Sequence, residues 1–199
     1  MSKNVTVDSK GKSLNQLAEE DPELMRLWGE INNAWDDIER LLYVAFDAML
    51  AEEVPFATHA IFYSQTSHAA RRTMVEALAK YALLNRPTTA RNLDNAIRRV
   101  KARADDRHRL AHGTWAMGVV FATGENGLLR MAPSADIVPN PKNDYPRKRL
   151  TSVRDEMRDT ARALREAIEP IESAKRAKAI ELGKRHMEKS RILEPKVES

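Results

Sequence analysis

The chain has 199 residues, 33 Lys or Arg against 29 Asp or Glu, and no cysteine. That length buries one core of ordinary size without a staple, and the lack of Cys removes disulfides and thiol catalysis and fits a reducing, cytoplasmic setting. The net charge of +4 suits an acidic or nucleic-acid partner but is far from a polybasic patch, and no apolar run approaches the roughly 20 residues that span a bilayer, which excludes membrane functions.

Residues 1–20 are polar, with Lys3, Lys10 and Lys12, no apolar period and no apolar h-region of signal-peptide type, so they read as a flexible arm. Helix A opens at "DPEL", with Asp21 as N-cap and Pro22 at the first helical position. Its apolar stripe is Leu24, Trp28, Ile31, Trp35, Ile38, Leu42, Ala45 and Met49. Those alternating steps of three and four form a seam for a partner helix, within the chain or across a two-fold contact. "EEVPFATHA" ends it at Pro55.

Helix B is expected from about Ala57 to Leu84, with its seam along Tyr63, Ser67, Ala70, Met74, Leu78 and Tyr81. Beside the seam, Ser64, His68, Arg71 and Val75 also follow helical spacing, which puts three polar side chains on one face. They either line a cleft as substrate-binding groups or form a solvated flank. Helix C, capped by Thr88 or Thr89, runs through Leu93, Ile97 and Val100 and stops at Gly113. A β-hairpin is expected over about residues 114–132 around "GENG", followed by the Pro-rich irregular stretch "PSADIVPNPKNDYPRKR". Helix D starts near Thr151 and buries Val153, Met157, Ala161, Leu164, Ile168 and Ile171, with a kink at Pro170. The fold class is therefore all-α, a bundle of four main helices with a small inserted hairpin. Residues 21–175 form the domain, and 176–199 a basic helix end and tail.

One stretch is chemically dense: "DDRHRLAHG", Asp105 to Gly113, with two acids, two arginines and two histidines around Leu110 and Ala111. Arginine stays charged and presents a planar fork to phosphate oxygens, which suits Arg107 to transition-state stabilisation. Histidine has a reference pKa of about 6.5, so His112 can move a proton either way near neutral pH. His108 would orient substrate or share the proton transfer, with Asp106 as its partner. Positions five apart stand about 140° round a helix, so a helix end or bend is needed to bring Arg107 and His112 to one phosphate. Arg103 and His108 repeat the same spacing.

The string "RHRLAHG", residues 107–113, resembles the HEPN superfamily of small all-α domains, whose motif is an Arg, four to six residues, and a His. Arg107, His108, Ala111, His112 and Gly113 fill the places of the fuller pattern, while the hairpin departs from the minimal bundle. The resemblance implies a metal-independent endoribonuclease that leaves 2′,3′-cyclic phosphate and 5′-OH ends and needs no cofactor. It also implies a homodimer that sets two motifs beside one cleft, and a toxin or antiphage role with an antitoxin protein as a further partner. Two other readings stand beside it: a catalytically silent module of the same kind that binds RNA, nucleotide or a protein, and a helical dimer with no other purpose. Locally, Arg107 and His112 could instead complement the macrodipole at a helix C-terminus. His108 and His112 share a helical face as zinc ligands do, but Arg109 stands where a metalloprotease would carry Glu, and no metal is expected.

Overall fold

The computed structural model describes residues 21–50, 55–112, 115–119, 126–130 and 145–193. The expected N-terminal arm, the "GENG" turn through Glu125, most of the Pro-rich stretch and the last six residues lie outside them. The structure is mostly helical, with α1 Pro22–Met49, α2 Pro55–Ser64, α3 His68–Ala82, α4 Pro87–His112 and α5 Arg147–Leu193. Three short strands, β1 Trp115–Val119, β2 Asn126–Arg130 and β3 Tyr145–Pro146, form one antiparallel sheet in the order β1-β2-β3. Trp115 pairs with Arg130 and Val119 with Asn126, and Gly127 and Leu128 of β2 pair with Pro146 and Tyr145.

The start of α1 follows from its first residues. Asp21 accepts from the Leu24 amide at 3.0 Å, satisfying one of the orphan N–H groups of the first turn. The same carboxylate receives Arg147 from the first turn of α5 at 2.8 Å. Pro22 costs α1 nothing, because its missing N–H would have had no intrahelical partner. Pro87 plays the same part in α4, which begins one residue before Thr88.

The expected helix B is two helices. The chain leaves the helix at Gln65 and Thr66 and restarts at His68, where Ser67 Oγ accepts from the Ala70 amide at 3.1 Å as an N-cap. This break resets the helical phase and overturns the expected seam. Phe62, Val75 and Leu83 are buried, Ser67 is a cap, and Tyr81 is among the exposed apolar residues. Helix D begins at Arg147 and continues through Pro170 to Leu193, well beyond the expected fraying end. The close of the Pro-rich stretch is likewise regular, with Tyr145 and Pro146 in a strand and Arg147 opening α5.

By contacts the chain forms two compact units. The first takes in α1 as far as Ile38 and the segment from Arg98 to Ala161. Its buried apolar residues are led by Leu24, Ile31, Trp35 and Ile38 of α1, Val100 and Leu110 of α4, Tyr145 of β3, and Val153 and Met157 of α5. Arg154 and Arg158 of α5 both reach Glu30 of α1, at 3.3 and 3.1 Å. The second unit comprises Glu39–Ile97 and the chain from Arg162 onward. It buries Leu42, Ala45 and Phe46, then Phe62, Val75, Leu93 and Ile97, and finally Leu164, Ile168 and Ile171. Asp47 is its polar node: it accepts from the buried Thr58 hydroxyl at 3.0 Å and meets Lys175 Nζ at 2.8 Å. The seam of α1 is thus covered by its own chain, apart from half-buried Trp28.

Candidate functional site

Asp105–His112 of the dense string occupies the last two turns of α4, in the first unit, and Gly113, where the helix was expected to stop, lies outside the described residues. Leu110 is buried and fixes the orientation of these turns. Arg107, one turn earlier on that side, is half-buried, with its Nε shut off from solvent. His108 and Ala111 are exposed. His112 is the closing residue of the helix; its side chain lies outside the described residues. Because α4 is helical through His112, its Cα stands about 140° round the axis and about 9 Å from that of Arg107, on the side that His108 occupies. The C-terminal end itself, not a bend before it, is what the helix offers for bringing the two groups together.

Asp106 is committed to a network. The fully buried Tyr145 donates its hydroxyl to Asp106 Oδ1 at 3.2 Å. Arg103 lies 3.4 Å from Asp106 Oδ2 and also pairs with Glu156 of α5. The Arg149 guanidinium stands 4.1 Å over the Tyr145 ring, a cation–π contact on the other side of the phenol. Burial first, and the Asp106 carboxylate second, push the Tyr145 hydroxyl up to about 12. The phenol therefore stays a donor throughout the neutral range. These contacts tie α4, β3 and α5 together one residue before Arg107. Arg103, the Arg of the second Arg-x4-His match, is thereby held between two carboxylates. Tyr145, Arg149 and Glu156 are not marked for this end of α4 by any local pattern in the sequence: Tyr145 lies 39 positions from Asp106.

Ser64, His68 and Arg71 fall in the second unit. The break between α2 and α3 divides the row they were expected to share. Ser64 closes α2 and donates to its own helix at Ile61 O, 2.7 Å away. His68 and Arg71 both turn to Glu39 of α1: His68 Nδ1 is 3.4 Å from Oε1, and Arg71 Nη1 is 3.0 Å from Oε2. Arg71 also donates from Nε to the Gln65 carbonyl at 3.0 Å and lies 5.1 Å over the Tyr63 ring. A planar guanidinium satisfies these acceptors at once, so this Arg locks the α2–α3 turn onto α1. Tyr63 and exposed His59 meet at a tilt, ring centroids 4.4 Å apart, beside Tyr43.

No protein-family model matches the chain, and comparison with curated proteins and with solved structures finds no match. Among the described residues there is no group of three or more His, Cys, Asp or Glu placed to hold a metal ion. No described helix is long and apolar enough to cross a membrane.

Proposed function

We propose that the protein is a metal-independent endoribonuclease of HEPN type, acting as a homodimer in a toxin or defence setting, with a four-helix core of that class to which the inserted hairpin is an addition. The observation that carries the reading is that Arg107–His112 forms the end of α4, with Arg107 half-buried beside Leu110 and His112 closing the helix. In this reading the 2′-OH of RNA attacks the adjacent phosphorus, and the P–O5′ bond breaks. His112 relays the proton from the nucleophile or to the leaving oxygen, and Arg107 holds the non-bridging oxygens as negative charge builds on them. The products are a 2′,3′-cyclic phosphate and a 5′-OH. His108, exposed on the side to which His112 comes round, orients the substrate.

One imidazole cannot serve both proton transfers at the same instant. A second copy of the chain supplies the other, which is the chemical reason for a dimer. The expected two-fold contact along the α1 seam is not the place for it, because those residues are buried within the chain. The test incubates purified protein with RNA in EDTA. Cleavage by the wild type that is lost in His112→Ala and in Arg107→Ala supports the reading. Tight RNA binding without cleavage favours the silent module, which the structural use of Asp106 by Tyr145 and Arg103 also fits.

A further inference from the structure

Beyond Lys175, the described side chains of α5 lie at the surface. Lys175 is held to α1 through Asp47. From Arg176 to His186 every residue is exposed, including Ile180 and Leu182. A Cβ built on Gly183 would meet nothing within 4 Å. The helix continues to Leu193, giving a rod about 27 Å long beyond the anchor. A helix that is polar all round needs either internal pairs or a partner to explain it. One internal pair among the described side chains of the rod is Arg185 with Glu181.

The charge of the rod is lopsided. From Arg176 to Leu193 the sequence has six Lys or Arg and two Glu, a surplus of four that equals the net charge of the whole chain. At about 100° per residue, Arg176, Lys178, Lys184 and Arg185 fall on several sides of the axis rather than on one stripe. Ile180 and Leu182 point about 200° apart, so there is no apolar face of the kind that lays a helix into a lipid surface. The segment has no Phe, Tyr or Trp to stack on bases. What it complements is a flexible polyanion that can wrap round it and be met through its phosphates alone.

We propose that residues 176–193 of α5 are an RNA-docking arm that grips the phosphate backbone without reading sequence. The choice of RNA rests on the ribonuclease reading above; the grip itself does not. The probe is a fluorescent 20-nucleotide single-stranded RNA made wholly of 2′-O-methyl residues, which has no 2′-OH to attack and cannot be cut by the proposed route. Anisotropy is followed from 50 to 300 mM salt with the full chain and with the variant R176Q/K178Q/K184Q/R185Q. Glutamine keeps the helix propensity, Lys175 is left in place, and equal circular dichroism shows that the helix is retained.

The wild type is expected to bind with an affinity that falls steeply as salt rises. The variant is expected to lose about tenfold or more at 50 mM salt and to show a salt slope shallower by about 2 to 3, since each lost phosphate contact removes about 0.7. Equal binding by both proteins overturns the proposal, and so does capture of phosphatidylserine vesicles with no binding of the RNA. Binding that follows this pattern while unmodified RNA stays uncut by the wild type sinks the nuclease reading and leaves the arm standing.

Discussion

Removing one hydroxyl tests the network that holds the end of α4. Tyr145→Phe keeps the buried ring and its contact with Arg149, so it opens no cavity; what it deletes is the bond to Asp106 at 3.2 Å. A hydrogen bond to a charged group contributes about 1.5 to 3 kcal/mol. Asp106 keeps Arg103, which places the expected loss at about 2 kcal/mol. Urea unfolding at pH 7.5 measures it as a lower midpoint at unchanged slope. The buried phenol, beside the Asp106 carboxylate, also makes an alkaline prediction. The phenol is raised to about 12 in the fold and ionises near 10 when unfolded. A raised value means that its contribution is complete below pH 10 and is lost as pH climbs from about 10 to 12, by about 3 kcal/mol in total. A spectrophotometric titration of the tyrosinates should show a component centred near pH 12 that the Phe variant lacks. If Tyr145→Phe unfolds at the same urea concentration as wild type and the high component persists, the contact between β3 and α4 does not hold this end of the helix.

Three further outcomes follow from named contacts. Ser67→Ala removes the N-cap of α3 and should cost about 1 kcal/mol in thermal or urea unfolding, while Ser67→Asp should cost little. Asp47→Ala removes the carboxylate that the buried Thr58 hydroxyl donates to and that holds Lys175; a loss of about 2 kcal/mol is expected, with Asp47→Asn milder. Leu110→Ala should destabilise by 2 to 5 kcal/mol, the range for emptying a buried leucine site. Because Leu110 orients the turns that bear Arg107 and His112, RNA cleavage should fall more than the folded fraction does, read by comparing activity with circular dichroism in the same sample.

The long helices were legible because their apolar spacing persists. Seven of the eight stripe positions of α1 are buried, as are all six named for α5. Asp21 before Pro22 marked a start that the Leu24 amide confirms. The break within the expected helix B was not read, although its signal is local: "SQTS" at 64–67 is a run of capping residues, and Ser67 uses its hydroxyl as a cap. Extending one helical phase across that run moved the whole seam to the wrong residues. At the candidate site, the string itself can be read from sequence because its residues are neighbours. Its supports come from far along the chain: Tyr145 to Asp106, Glu156 to Arg103, Glu39 to both His68 and Arg71. Carboxylates of this kind satisfy buried or half-buried donors wherever the fold brings them, and local periodicity carries no record of that.

The central claim is that Arg107 and His112 cut RNA through its own 2′-OH. Mass spectrometry of the fragments from a defined oligoribonucleotide, digested in EDTA by wild type and by His112→Ala, reads that chemistry in the product ends. The account predicts 2′,3′-cyclic phosphate and 5′-OH termini with the wild type and intact RNA with the variant. Fragments ending in 3′-OH and 5′-phosphate, or the same fragments from His112→Ala, would contradict it.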